Sequence, residues 1–292
     1  EIVKQLPEVP AKQIIAEPAQ RNTAPAIGLA AQILHSIDKN AVFGVFPSDH
    51  IIGDARAYLR EVRPAFKAAK EGKIVVLGIE PRWAETGYGY IEFPKGIRSG
   101  TLAINKVLRF REKPDAKTAK KFLKAGNFYW NAGMFFWRAD VVLDALRNYL
   151  PSTAALLAGL PAFSSRGFSS ALAKAFPQCD NISVDYAVLE NSPNVFGIAS
   201  GGFQWNDVGS WNAVYELHER DQAGNAVRTS AIIHDSSGNH VDAGNKLIAL
   251  LGVRDLIVVD TPDALLIADR HRAQEVGDIV KKLEQAGHHH LL

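Results

Sequence analysis

The sequence has little of what marks a special environment. Cys179 is its one cysteine. No internal disulfide can form, which fits a reducing compartment and equally a disulfide-free exported protein. No apolar run approaches the roughly 20 residues that a membrane helix needs; Leu247 to Val253 is among the longest. Nothing at the amino end resembles a signal peptide. Charge of one sign is not in excess either, since 33 basic residues face 31 acidic ones for a net charge of +2. The two signs are mixed along the chain, so there is no basic stripe for nucleic acid and no charged tail. Internal repeats and low-complexity segments are also missing. The expectation is a soluble cytoplasmic protein with neither a nucleic-acid nor a membrane partner.

What is present is apolar material for a large core. With 292 residues and 47% hydrophobic content, the length suggests one large domain and a smaller one. The opening, Glu1 to Pro7, carries no initiator Met and reads as the tail of a helix. Arg21 to Ile37 places Ala26, Ile27, Ala30, Ala31 and Leu34 on one helical face. A strand over Ala41 to Phe46 follows, then a helix through Leu59, Val62, Phe66 and Ala69 that ends near Gly72. Lys73 to Ile79 reads as a buried strand, and Lys106 to Arg111 alternates. Asp115 caps a helix with Ala119, Phe122 and Leu123, stopped by Gly126. Another helix runs from Asp140 through Leu150 to Pro151. Such alternation predicts an α/β domain over residues 1–222, with a mainly parallel mixed sheet covered on both faces.

Composition shifts after Asp221. Short β-type runs at 231–233, 246–251, 256–259 and 264–268 are divided by turn clusters, which predicts a small β module over 223–292. A last helix, His271 to Gln285, puts Ala273, Val276, Ile279, Val280 and Leu283 on one face and needs a surface to cover. His288, His289 and His290, before Leu291 and Leu292, read as a solvated end.

Two aspartates share one design. Asp49 in Pro-Ser-Asp-His and Asp207 in Trp-Asn-Asp-Val-Gly-Ser-Trp each follow an apolar run and precede a helix start. In an open α/β sheet such residues lie outside the carboxyl ends of strands, where ligands bind. Paired carboxylates suit Mg²⁺ on a phosphate, because that ion prefers hard oxygen ligands and keeps several waters. His50 beside Asp49 reads as structural, since attack by an already ionised phosphate needs no proton removed.

Other segments are weaker alone. Glu85-Thr86-Gly87-Tyr88-Gly89-Tyr90 would let backbone approach a ligand, or would be an ordinary hairpin turn. Glu112-Lys113-Pro114 puts an acid and a base at a strand end, as many surface ion pairs do. The amide of Asn131, between Trp130 and Ala132-Gly133, suits a sugar pocket or a packed turn. Asn22 or Thr23 caps the helix containing Pro25, and a helix start is also an anion site.

Taken in order, these motifs, with Ile-Ser-Val-Asp-Tyr-Ala-Val-Leu-Glu at 182–190 and the segment 258–264, closely resemble those of the mannose-1-phosphate guanylyltransferases (GDP-mannose pyrophosphorylases). That family belongs to the nucleotide-sugar transferases, and the resemblance is to its shorter bacterial form. It covers nearly the whole chain and implies a Rossmann-like nucleotidyltransferase domain followed by a left-handed β-helix module. The implied reaction joins GTP and mannose 1-phosphate into GDP-mannose and pyrophosphate. On the same basis Asp49 and Asp207 hold Mg²⁺, Lys113 neutralises the sugar phosphate, and Glu112 and Asn131 hold mannose hydroxyls. Gly87 and Gly89 bring backbone to the sugar, Asn22 and Thr23 face guanine or ribose with Glu17 and Arg21 nearby, and Ser48 completes the substrate-binding set. The resemblance further implies a glycine-rich, Arg-containing phosphate loop ahead of Glu1, without which the chain as given is inactive. A silent nucleotide-sugar sensor, a pyrophosphorylase for another sugar and nucleotide pair, and a homodimer are left open by the residues alone.

Overall fold

The computed structural model describes residues 2–291. Glu1 of the expected helix tail and Leu292 of the expected solvated end lie outside the described residues. The chain divides into two compact units, Glu1–Ser48 with Gly53–Phe203, and Asp49–Ile52 with Gln204–Leu292. In chain order the strands begin with β1 (Val42–Val45), β2 (Ile51–Ile52), β3 (Ile74–Ile79), β4 (Tyr90–Glu92) and β5 (Asn105–Lys106). They continue with β6 (Arg109–Arg111), β7 (Phe128–Arg138), β8 (Val195–Ala199), β9 (Trp205–Asn206) and β10 (Ala226–Val227). The last are β11 (Ala231–His234), β12 (His240–Asp242), β13 (Ile248–Leu251), β14 (Leu256–Asp260) and β15 (Leu265–Asp269).

The first unit is built on a sheet of order β5-β8-β3-β7-β4-β6, with β1 also paired to β7. β3 forms because Ile74 to Ile79 is a continuous apolar run, and every residue of it is buried. The pairing departs from the mainly parallel expectation: β3–β8 is parallel, whereas β7 runs antiparallel to β1, β3 and β4. The cause is the length of β7. Its 11 residues, aromatic-rich and almost all buried, give it room for ladders with all three neighbours. The strand starts where Gly126 ends the helix Ala116–Ala125 at φ 72°, and that helix is capped by Asp115 as expected.

Helices cover this sheet. The helix Ala55–Lys70 packs on β1, β3 and β7, its first turn held by the Asp54 carboxylate accepting from the Ala57 N–H at 2.9 Å. The helix Thr23–Ile37 packs against Ala139–Tyr149 and Pro151–Ala158. Its Gly28 permits close approach, since a Cβ there would lie 2.5 Å from Leu146 Cδ1 and 2.8 Å from Leu157 Cδ1. Trp137, Phe136 and Phe93 are fully buried, and burying each stabilises the unit by roughly 1.5–3 kcal/mol relative to exposure.

The second unit is a β-helical stack. Ala226 pairs in parallel with His240, His240 with Ile257, and Ala231 with Ile248, so each strand finds its neighbour one coil later. Buried asparagines tie the coils. The Asn239 side chain donates to Asn225 Oδ1 at 2.9 Å, and Asn239 Oδ1 accepts from the Leu256 N–H at 2.9 Å. Antiparallel β15 ends the stack. The terminal segment is a 3₁₀ stretch, Arg270–Glu275, kinked at Arg272, followed by a helix, Val276–Gln285. Of the expected apolar face, Ala273 is buried, while Ile279 and Val280 stay 47% exposed. Arg270 does the anchoring, bonded to Asn212, Asp255 and the Gly238 carbonyl and stacked on Tyr215. Among the described residues no helix is long and apolar enough to cross a membrane.

Candidate functional site

Three strands of the first unit align the sugar-side candidates. Tyr90 stands opposite Trp130 of β7 and Arg111 of β6. One residue away in the same register, Gly89 falls between Asn131 and Glu112. The Asn131 N–H donates to the Gly89 carbonyl at 2.8 Å, which extends the ladder to this row. Glycine in the middle lets a carboxyl and an amide residue close in on the backbone. A Cβ at Gly89 would sit 2.4 Å from Glu112 Oε2 and 3.3 Å from Asn131 Cβ. Glu112 Oε2 is buried without a hydrogen-bond partner, and burying an unmet acceptor costs about 1–3 kcal/mol. The row therefore packs an unmet acceptor directly against the bare Cα of Gly89.

Backbone devices fix the row. The β3–β7 register shifts between Val76 and Gly78, producing a bulge in β7 at which Gly133 takes φ 68°. The Gly133 N–H then donates to Asn131 Oδ1 at 3.1 Å, and Asn131 itself lies within β7. Lys113 follows Glu112 at φ 42°, a left-handed conformation costing a non-glycine residue about 1–2 kcal/mol. Its side chain is exposed. The Glu85 carboxylate shapes the glycine turn by accepting from the Thr86 N–H, the Gly87 N–H and Trp83 Nε1 at 2.8 to 2.9 Å. Tyr88 packs edge-on against Trp130.

Asp185 joins this group, although the motif reading assigned it no role. It opens a π-helical turn, Asp185–Leu189, and Asn131 Nδ2 donates to its Oδ1 at 3.0 Å. The preceding residue is held from a distance, since the Val184 N–H donates to Thr23 Oγ1 at 2.9 Å. Burial, then the charge of Asp185, with Glu190 adding, pushes the Glu112 carboxyl up to about 7, against Lys113. Burial likewise raises Asp185 to about 6, opposed by hydrogen bonds from its own backbone and Asn131 and by the Lys113 charge. Glu190 accepts from the Glu112 N–H at 2.8 Å and lies 4.0 Å from Arg111.

The helix-start candidates have their oxygens engaged. Asn22, at φ 63°, accepts from the Thr23 N–H at 2.9 Å, and Arg21 donates to the Pro177 carbonyl. Glu17 and Ser48 are exposed.

Asp49 and Asp207 belong to the second unit, where β2 pairs antiparallel with β9 in the register Ile51 to Asn206. One step along, His50 falls opposite Asp207. Both aspartates act on its ring: burial lowers the His50 pKa, and the charges of Asp49 and Asp207 oppose that lowering. Trp205 Nε1 donates to His50 Nδ1 at 3.1 Å, which fits the structural role expected for this histidine. Asp49 is 81% exposed and 4.0 Å from His50 Nε2, and Asp207 is half-buried. A Cβ at Gly209 would meet Asp207 Oδ2 at 2.3 Å, so any larger residue there would displace that carboxylate. No larger cluster of His, Cys, Asp or Glu able to hold a metal occurs among the described residues. Both carboxylates act on the one His50 ring, and one or two carboxylates completed by waters and substrate phosphates are the usual protein share of a Mg²⁺ site.

Residues 2–224 match the Nucleotidyl transferase family, and residues 230–283 match the MannoseP isomerase/GMP-like beta-helix domain. The chain is 37% identical over 274 residues to the putative mannose-1-phosphate guanylyltransferase of Vibrio cholerae serotype O1, covering 93% of this chain and 58% of that protein. It is 38% identical over 287 residues to the mannose-1-phosphate guanylyltransferase of Escherichia coli K12, covering 95% of this chain and 59% of that one. It thus spans less than two thirds of the length of these curated relatives. The crystal structure of mannose-1-phosphate geranyltransferase from Thermus thermophilus superposes with a TM-score of 0.77 at 32% identity, over 92% of this chain and 77% of that one. The expected order, a Rossmann-like domain and then a β-helical module, agrees with both matches. The chain belongs to the nucleotidyl transferase family.

Proposed function

We propose that this protein forms GDP-mannose and pyrophosphate from GTP and mannose 1-phosphate. A phosphate oxygen of the sugar phosphate attacks the α-phosphorus of GTP, a new P–O bond forms, and the bond to the β-phosphate breaks. The observation that carries this reading is the row Asn131–Gly89–Glu112 with Lys113 beside it. An amide and a near-neutral carboxyl offer donors and acceptors for vicinal hydroxyls, and an exposed ammonium follows for a phosphate. Such polar groups at a mostly apolar site fix ligand orientation.

Glu112 and Asn131 hold the mannose hydroxyls, Gly87 and Gly89 bring backbone to the ring, and Lys113 neutralises the sugar phosphate. Asn22, Thr23, Glu17, Arg21 and Ser48 make up the nucleotide side. Asp49 and Asp207 would hold Mg²⁺, which when bound offsets phosphate charge and favours displacement at the α-phosphorus. His50 takes no proton, because the attacking phosphate is already ionised. The relatives named as mannose-1-phosphate guanylyltransferases support the substrate pair.

Pyrophosphate release by the intact polypeptide from each of the common nucleoside triphosphates, with mannose or glucose 1-phosphate, tests the proposal. GTP with mannose 1-phosphate should give the highest kcat/KM. Preference for UTP or dTTP would overturn the assignment.

A further inference from the structure

Asp185 is the feature of the sugar side that the reaction as proposed leaves unused. Three carboxyls, Glu112, Asp185 and Glu190, meet there with Lys113, Arg111 and Tyr186. Glu190 is occupied by the Glu112 N–H and stands near Arg111. Asp185 receives one N–H of the Asn131 amide. With Gly133 bonded to its oxygen, that amide is held at both ends and cannot flip. What stays unmet is Glu112 Oε2, buried and packed against Gly89.

We propose that Asp185 is a positioning residue for sugar-phosphate recognition, which fixes the Asn131 amide and, carrying the negative charge of the Asp185 and Glu112 pair near neutral pH, leaves the Glu112 carboxyl as a hydrogen-bond donor. This rests on the sugar-phosphate reading of the site. A protonated Glu112 offers a sugar one donor and one acceptor. Its ionised form would offer acceptors alone and would repel the ligand phosphate. Geometry and charge agree here, because burial and Asp185 hold the Glu112 proton to about pH 7. A dianionic ligand nearby holds it further.

The pH profile of KM for mannose 1-phosphate separates this role from a purely structural one. In the wild type KM should rise about tenfold per pH unit above the Glu112 pKa, with kcat changing less. Asp185→Asn keeps an acceptor for the Asn131 amide and removes the charge. Its KM should therefore begin to rise at lower pH. Titration of the sugar phosphate itself is common to both proteins and cancels. Glu112→Gln, a permanent neutral donor, should lose the rise above about pH 7 seen in the wild type, and it serves as the second variant if Asp185→Asn does not fold. Carbon-detected NMR of the ligand-free protein should show two carboxyls titrating, near pH 6 and near pH 7, with the Glu112 signal lost in Glu112→Gln and its titration moved down in Asp185→Asn. An unmoved titration in Asp185→Asn, or a Glu112→Gln profile as steep as the wild type, overturns the inference. The NMR arm needs no substrate, so absence of turnover with any sugar phosphate would count against the proposed function and not against this coupling.

Discussion

Gly89→Ala isolates the sugar row with one methyl group. The new Cβ would lie 2.4 Å from Glu112 Oε2, 3.2 Å from Phe110 Cζ and 3.3 Å from Asn131 Cβ. The first contact is impossible, so the carboxyl must move by about 1 Å to reach ordinary van der Waals distance. It can do so at little cost to the fold, because Oε2 is the far end of a flexible side chain. The backbone allows alanine as well, since Gly89 is not among the positive-φ residues. Overpacking costs typically 1–3 kcal/mol, and the loss of glycine freedom in the unfolded chain offsets about 0.4–1 kcal/mol of it. The melting temperature should therefore fall by a few degrees at most. Function should suffer far more, because a group misplaced by about 1 Å can cost 100-fold in rate. The assay is steady-state kinetics in both substrates together with a thermal melt. KM for mannose 1-phosphate should rise at least tenfold while KM for GTP holds. A change under twofold in the sugar-phosphate parameters, in a folded variant, would refute the reasoning.

The remaining predictions concern the metal pair and the β-helical module. Asp49→Asn and Asp207→Asn should each lower turnover roughly 100-fold with unchanged folding, because transition-state charge loses its counter-ion; near-normal turnover in Asp207→Asn at ordinary Mg²⁺ would show a structural carboxylate. His240 is fully buried, both its ring nitrogens lack partners, and burial, then His218, lowers its pKa from 6.5 to about 4. Above the unfolded value both states are neutral, and as pH falls toward 4 only the unfolded chain takes the proton, so stability should drop by up to about 3 kcal/mol. Denaturant melts of wild type and His240→Phe across this window should diverge; parallel curves would rule the histidine out. Asn239→Leu should destabilise the module by about 2 kcal/mol or more, since it strips a partner from Asn225 and from the Leu256 N–H.

Much of the framework was legible locally. Asp115 and Gly126 bracket the helix they were expected to bracket, and the apolar run at 74–79 is a buried strand. Caps and short-period patterns act over a few residues, which is why they can be read from a single sequence. β7 was harder, because a strand buried almost throughout shows no alternation and Gly133 looks like a turn. β10 and β12 escaped because two or three residues carry no period. Their stability comes from the next coil. Asp49 and Asp207 showed a shared design, yet the pairing that puts His50 opposite Asp207 joins Ile51 to Asn206, 155 residues apart. Asp185 lay inside a quoted motif without a role, since its placement depends on Thr23, which sits 161 positions away from Val184. Contacts at that separation leave no local trace.

The central claim is that Asn131, Gly89 and Glu112 form the mannose-binding row. A crystal structure of the intact polypeptide with GDP-mannose tests it most directly. The account predicts sugar hydroxyls within hydrogen-bond distance of the Glu112 carboxyl and the Asn131 amide, with the sugar ring over Gly89. A mannose ring bound elsewhere, with Glu112 Oε2 still unpartnered, would contradict it.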